Sequence, residues 1–88
     1  MFKLLIDDHI PFVESYFPKY FHITRFDAHH DLQPYLGQQD ILIVRSVTPV
    51  TASLVNENHF KIIATASAGH EHIDRQALSE HNIQFFSA

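Results

Sequence analysis

The chain has no cysteine and only two glycines among its 88 residues. Without cysteine, neither a disulfide framework nor thiolate chemistry is available. The two glycines, Gly37 and Gly69, lie far apart, so the G-x-G-x-x-G loop that lets a backbone approach a dinucleotide pyrophosphate is absent. A P-loop and a nucleophile elbow are absent as well. We therefore expect these residues to hold no nucleotide through a glycine-rich motif.

Positive charge is scarce: the chain has six lysines and arginines and ten acidic residues, which gives a formal net charge of -4. A nucleic-acid partner is not expected, because proteins that bind nucleic acid present a basic face. An anionic ligand would need a local cluster of donors. No apolar run approaches the roughly 20 residues that cross a bilayer, and the segment 4–6 is too short for a signal-peptide core. These features predict a cytoplasmic protein without a membrane partner.

Short apolar segments alternate with amphipathic ones, which predicts strands separated by helices. The predicted strands cover 2–6, 21–26, 41–44, 61–65 and 83–86. Four helices are predicted between them: one that begins near residue 9, one over 31–36, one that includes 54–55 and one that follows Asp74. With right-handed crossovers, this order predicts an α/β fold. We expect an open, flavodoxin-like parallel sheet of about five strands in the order 2-1-3-4-5, with helices on both faces. The polar His22, Thr24 and Arg25 favour an edge position for the second strand.

Single polar residues predict where several helices begin and end. Thr51 and Asp74 are candidate N-caps, while Gly37 and Asn82 are candidate stops. The sequence ends directly after the fifth predicted strand, with no further helix to cover that face. We therefore expect residues 1–88 to form a single, partial domain of a larger protein.

Two loops carry the most informative residues of the chain. The loop 45–48 directly follows the apolar run 41–44, and the loop 65–69 follows the apolar run 62–64. Ligands of parallel α/β sheets bind beyond the carboxyl ends of the strands, where these loops are predicted to lie. Ser46 and Ser67 offer hydroxyl groups, and Arg45 offers a guanidinium. The pattern predicts a site for a small anion, such as a carboxylate or phosphate.

Two other clusters suggest different chemistry. Asp7 and Asp8 resemble the acidic pair with which receiver domains of response regulators hold Mg²⁺, but Arg45 stands where the aspartate that accepts phosphate is required. The favoured interpretation is that Asp8 caps a helix and Asp7 is solvated. The histidine pairs 29–30 and 70/72 offer too few ligands for zinc, which requires three or four. We therefore predict no metal site.

The chain contains the motifs Arg45-Ser46-Val47-Thr48, 62–69 and 72–74, together with the opening segment 4–11 and the closing segment 83–88. In these motifs and segments it resembles the erythronate-4-phosphate dehydrogenase family. That family belongs to the wider D-isomer-specific 2-hydroxyacid dehydrogenases. The resemblance implies oxidation of 4-phosphoerythronate with NAD in the biosynthesis of pyridoxal 5′-phosphate. It also implies that Ser46 and Ser67 contact substrate beside Arg45, and that residues 1–88 are the N-terminal part of the substrate-binding domain.

This sequence departs from the family's motifs at a few positions, and other functional residues of the family have no counterpart in it. Serine replaces a frequent threonine at Ser67, and His70 and Glu71 replace a usual threonine and aspartate. The family's catalytic arginine, glutamate and histidine and its glycine-rich NAD loop occur in later sequence. The resemblance thus implies no catalytic or cofactor-binding residue in this chain, no activity of the chain alone, and a homodimeric full-length enzyme. Three alternatives remain: a fragment of a related 2-hydroxyacid dehydrogenase, a non-catalytic phospho-ligand or receiver-like module, and a truncated product that depends on subunit contacts.

Overall fold

The computed structural model describes residues 2–11, 21–28, 32, 37, 39–56, 58–66 and 72–87. These residues contain five strands and two helices, which are, in chain order, β1 (Phe2–Asp7), β2 (Phe21–Phe26), β3 (Ile41–Val44), α1 (Ala52–Asn56), β4 (Ile62–Thr65), α2 (Arg75–Glu80) and β5 (Gln84–Ser87). Within the same residues, neither helix has the length and apolar character needed to cross a bilayer.

The five strands form one sheet in the order β2-β1-β3-β4-β5, and every neighbouring pair is parallel. This is the predicted flavodoxin-like order. The edge position predicted for β2 is also confirmed. Only one residue of β2 is buried, whereas the last four residues of the more central β1 are buried. The polar side chains of β2 are tolerated because an edge strand has one neighbour instead of two.

The core lies on the face of the sheet that α1 and α2 cover. The strand register places Leu5, Leu42 and Ile63 side by side across β1, β3 and β4, and all three are fully buried. Val55 of α1 and Leu78 of α2 belong to the same apolar cluster. On the opposite face, Leu4 and Ile6 are fully buried too, as expected for a parallel sheet with both faces covered.

The two described helices begin where the sequence predicts. Thr51 Oγ1 accepts a hydrogen bond from the Leu54 N–H at 3.2 Å, and Asp74 Oδ1 accepts one from the Ala77 N–H at 3.1 Å. Each cap satisfies a donor that the first turn of a helix leaves without an intrahelical partner. Both predicted N-caps are therefore confirmed.

The end of α2 explains a one-residue error in the predicted bounds of β5. Asn82, the predicted stop, has a φ of 57°, and its N–H donates to Ser79 O at 3.1 Å. The Ile83 N–H donates to Leu78 O at 2.9 Å, which completes a Schellman motif. Ile83 is buried as part of this helix end, so β5 begins at Gln84 rather than at 83. β4 begins at Ile62, one residue after its predicted start, and both β1 and β5 end one residue later than predicted, at Asp7 and Ser87.

The remaining predicted helices are covered only in small part. Residues 8–11 form a turn after β1, and the rest of the helix predicted from about 9 lies outside the described residues. The helix predicted over 31–36 also lies outside them, except for Leu32. Gly37, its predicted stop, has a φ of 91°, and its N–H donates to Asn58 Oδ1 at 2.7 Å.

Candidate anion site at the carboxyl ends of the central strands

The sheet brings the ends of β1, β3 and β4 to one edge of the molecule. Ile6 pairs with Ile43, and Val44 pairs with Thr65. The Ala66 N–H donates to Val44 O at 2.9 Å, which extends this pairing by one residue beyond β4. The segments that start at Arg45 and at Ala66 therefore leave the sheet side by side, as the sequence predicts.

Arg45 is held at this edge by Asp7. Arg45 Nε donates to Asp7 Oδ2 at 2.9 Å, and the Arg45 side chain is 29% exposed. The other oxygen of the same carboxylate, Oδ1, accepts the His9 N–H at 2.8 Å. Among the described residues, the two terminal nitrogens of Arg45 have no hydrogen-bond partner. The guanidinium thus bonds to the protein through Nε and reaches the surface through its outer end.

The expectation that Asp7 is solvated is wrong. Asp7 is fully buried, because β1 is a central strand and neighbouring strands enclose its last residue. A buried carboxylate is costly unless it is paired and hydrogen-bonded, and Arg45 and the His9 amide meet that requirement. Sequence reasoning missed this pair. The two residues are separated by 38 positions, and the only signal was their placement at the ends of two adjacent predicted strands.

Asp8 and His9 complete the turn after β1. Asp8, whose side chain is 41% exposed, lies 2.9 Å from His9 Nδ1 through Oδ1. Potential ligand atoms of Asp7, Asp8 and His9 all lie within 4.8 Å of one another. Both oxygens of Asp7 nevertheless already accept hydrogen bonds, one of them from a cation. The carboxylate of Asp7, which a receiver-like module would use for Mg²⁺, is thus already paired with Arg45, so the geometry argues against that alternative.

The loop after β3 forms a compact turn. The Thr48 N–H donates to Arg45 O at 3.1 Å, and Ser46 lies exposed at the tip. Thr48 is buried, and its Oγ1 has no hydrogen-bond partner among the described residues. The predicted contacts Arg45 and Ser46 are thus neighbours on one accessible turn. Ser67, the third predicted contact, lies outside the described residues, as do Gly69 and His70.

Residues 72–74, which precede α2, contact the loop after β3 and the end of β4. Thr65 Oγ1 and His72 Nε2 form a hydrogen bond of 3.1 Å. The Val50 N–H donates to His72 O at 2.7 Å, and the Asp74 N–H donates to Val50 O at 2.9 Å. These bonds tie the two loops together through the isolated parallel bridge between Val50 and Ile73. The His72 ring, considered above as a metal ligand, is engaged in this structural contact.

The described residues do not fit a dinucleotide. In dinucleotide-binding folds, the first strand-to-helix turn is glycine-rich and receives the pyrophosphate. Here that turn begins with Asp8 and His9, and residues 8–11 include no glycine. Gly37 is the one glycine among the described residues. It precedes β3 and therefore lies near the amino ends of the strands, on the side of the sheet opposite Arg45. The described residues therefore offer no glycine-rich turn for the pyrophosphate of NAD.

Comparisons with known proteins agree with this architecture. A family model described as D-isomer specific 2-hydroxyacid dehydrogenase, catalytic domain, matches residues 2–88. The erythronate-4-phosphate dehydrogenase of Pseudoalteromonas translucida is 39% identical over 87 residues, and that of Tolumonas auensis is 36% identical over 87 residues. Each alignment covers 98% of this chain and 23% of the relative. The chain belongs to the D-isomer specific 2-hydroxyacid dehydrogenase family, and it spans about a quarter of the length of these curated relatives.

Solved structures show the same fold at lower sequence identity. The NAD⁺-bound 3-phosphoglycerate dehydrogenase of Entamoeba histolytica superposes with a TM-score of 0.78 at 19% identity, covering 98% of this chain and 32% of that one. An NAD-dependent formate dehydrogenase from Staphylococcus aureus in complex with NAD gives a TM-score of 0.75 at 20% identity, covering 99% and 32%. The resemblance stated from the sequence motifs is thereby confirmed at the level of family and fold.

Proposed function

We propose that this chain is the N-terminal part of the substrate-binding domain of an NAD-dependent dehydrogenase that oxidises 4-phosphoerythronate in vitamin B6 biosynthesis. The observation that carries the proposal is the alignment of nearly the whole chain with proteins named erythronate-4-phosphate dehydrogenase, at 31% to 39% identity over the eight relatives compared. The partial domain over 1–88, the cytoplasmic location and a homodimeric full-length enzyme belong to the same proposal.

The role proposed for this chain is to bind the anionic substrate. Arg45 and Ser46 supply a guanidinium and a hydroxyl on one turn, and Ser67 is proposed to supply a second hydroxyl from the neighbouring loop. Hydrogen bonds from such groups to a carboxylate or phosphate are charge-assisted and therefore stronger than bonds between neutral groups. As the family resemblance implies, the proposal assigns no cofactor contact and no catalytic residue to this chain. The redox chemistry is assigned to other parts of the full-length protein.

A related 2-hydroxyacid substrate is the second candidate. It is favoured by the structural neighbours, whose names refer to substrates as different as 3-phosphoglycerate, formate and D-mandelate. The fold alone therefore does not select the substrate. An arginine beside a serine suits either end of 4-phosphoerythronate, since both the carboxylate and the phosphate are anions.

Initial-rate assays on the full-length protein that carries this chain test both candidates. NADH formation is followed with 4-phosphoerythronate, 3-phosphoglycerate and D-lactate at matched concentrations. We expect kcat/KM to be at least about 100-fold higher for 4-phosphoerythronate than for D-lactate, because a site built to bond a polar group rejects analogues that lack it. Comparable efficiency with D-lactate would favour the related-substrate candidate. No oxidation of any of the three would contradict the proposed function.

A further inference from the structure

Asp7 is a buried charged group that the proposed binding function does not use directly. Its side chain is fully buried, whereas the side chain of its partner Arg45 is 29% exposed. The carboxylate therefore cannot touch a ligand, but the guanidinium that it holds can. Each oxygen of Asp7 accepts one hydrogen bond, Oδ1 from the His9 amide and Oδ2 from Arg45 Nε.

The atom through which Arg45 is held matters for its chemistry. A guanidinium carries five N–H donors in one plane, and only the single Nε–H is used in the bond to Asp7. The two terminal nitrogens keep their four N–H groups, which can donate hydrogen bonds to two oxygens of a carboxylate or phosphate at once. An arginine without such a partner would lose side-chain conformational entropy on binding an anion. Because Asp7 already restricts the Arg45 side chain in the unliganded protein, less entropy is lost on binding.

The turn that directly follows Asp7 is itself anchored. Arg25 Nη1, on the edge strand β2, donates to Ile10 O at 3.0 Å and to Asp8 O at 3.4 Å. The Asp8 N–H donates to Phe26 O at 2.8 Å. The segment after β1 is therefore fastened to β2 on one side, and through Asp7 it is fastened to Arg45 at the end of β3 on the other.

We propose that Asp7 is a positioning residue for substrate binding, which orients the outer edge of the Arg45 guanidinium toward an oxyanion of the substrate. This inference rests on the proposed function, because it requires that Arg45 contacts the substrate. It goes beyond that function by assigning a role to a residue that lies outside the contact surface. Asp7 also balances the charge of Arg45, so the recognition of the anion depends on the placement of the donors more than on net positive charge.

The substitution Asp7→Asn in the full-length enzyme tests the proposal. Asparagine has nearly the same shape but only one acceptor oxygen, so either the His9 amide or Arg45 Nε would face an NH₂ group. We expect KM for 4-phosphoerythronate to rise about 10-fold while kcat changes less than about threefold, the pattern of a lost binding interaction. Asp8→Asn is the matched control, since Asp8 is adjacent, more exposed and does not bond to Arg45. Its KM should stay within about twofold of the wild-type value.

A double-mutant cycle separates positioning from a merely structural role. If Asp7 acts through Arg45, Asp7→Asn should raise KM in the wild-type background but not in an Arg45→Gln background. If Asp7 only supports the fold, its effect on KM should be the same in both backgrounds, which would overturn the proposal. The melting temperature adds a second readout. Arg45→Gln leaves a buried carboxylate without its cation, so the double variant should melt at a higher temperature than Arg45→Gln alone.

If Asp7→Asn fails to fold, Arg45→Lys tests the premise on which the role of Asp7 rests, namely that Arg45 contacts the substrate. Arg45→Lys keeps a positive charge beside Asp7, but one ammonium group cannot replace both the Nε bond and the outer pair of donors. We expect a folded protein whose KM is raised about 10-fold, and an unchanged KM would refute the proposal. Failure of the wild-type enzyme to oxidise 4-phosphoerythronate or a related 2-hydroxy acid would instead refute the proposed function. An active wild type whose Asp7→Asn and Asp8→Asn variants behave alike would refute only the role of Asp7.

Discussion

At the scale of single residues, Asp7 and Asp8 show how position decides chemistry. The two aspartates are adjacent in the chain, but Asp7 is fully buried against Arg45 and Asp8 is exposed beside His9. Asp7 is the last residue of a strand with neighbours on both sides, whereas Asp8 lies one residue beyond it. Nothing in the local sequence distinguishes the two. The distinction follows from where β1 lies in the sheet.

Ser46 is the residue whose proposed role is most directly testable. Replacing Ser46 with alanine in the full-length enzyme should lower kcat/KM for 4-phosphoerythronate by the equivalent of roughly 1–3 kcal/mol, because a hydrogen bond to a charged group is lost. Steady-state kinetics measures the change. Ser79→Ala is a suitable control, since Ser79 is exposed on α2 and belongs to neither loop. Equal efficiencies for Ser46→Ala and Ser79→Ala would remove Ser46 from the site.

At the scale of elements, the helix and turn boundaries follow from local chemistry. α1 has five residues and α2 has six, and helices this short are not stable in isolation. They exist because Val55 and Leu78 pack against the sheet and because caps satisfy their terminal groups. The N-caps Thr51 and Asp74 and the stop Asn82 could be predicted, since each bonds within a few residues of its own position.

Removing the cap of α2 should cost a modest and measurable amount of stability. Asp74→Ala eliminates the acceptor for the Ala77 N–H, and we expect the free energy of unfolding to fall by about 1 kcal/mol. Denaturant-induced unfolding provides the measurement. Asp74→Asn keeps an acceptor oxygen at the same distance and should lose less. If both variants were as stable as the wild type, the cap would not contribute to stability.

Gly37 tests the cost of backbone conformation without steric contact. Its φ is 91°, and a Cβ added there would meet nothing within 4 Å among the described atoms. Gly37→Ala should therefore destabilise the protein by about 1 kcal/mol through the left-handed conformation alone. Gly37→Asn should cost less, because asparagine tolerates positive φ better than alanine. Thermal unfolding of the three proteins would show this ranking, and a fully stable alanine variant would argue against the positive φ.

At the scale of the whole molecule, the order β2-β1-β3-β4-β5 gives the site its location. All pairs of strands are parallel, so Asp7, Arg45 and Ala66 lie together at the carboxyl ends of the strands, whereas Gly37 lies near the amino ends. The family assignment extends over residues 2–88, while the aligned region is 23% of the length of each of the two relatives named above. The described residues carry Arg45 and Ser46, two of the three proposed substrate contacts, and no glycine-rich turn for a dinucleotide.

The isolated chain is accordingly predicted to have no dehydrogenase activity. Purified residues 1–88, mixed with NAD and 4-phosphoerythronate, should form NADH no faster than a blank without protein. The full-length protein at the same molar concentration serves as the positive control. Sustained turnover by the isolated chain would contradict the assignment of all catalytic residues to other parts of the protein.

The sequence by itself determined the elements and their order. Apolar runs, capping residues and right-handed crossovers act over short distances or obey general rules of handedness, so the five strands, two described helix starts and the sheet order could be derived from them. The one-residue error at the start of β5 has the same origin. Hydrophobicity marks Ile83 as buried, but it does not tell whether a strand or the end of α2 buries it.

Only the tertiary structure decided which side chains meet. The Asp7–Arg45 pair joins residues 38 positions apart, and the bridge between Val50 and Ile73 joins two loops that no periodicity relates. Such contacts depend on strand register, on side-chain rotamers and on which strands are central. These quantities are set when the whole sheet packs, because each buried polar group must then find its partner within the completed fold.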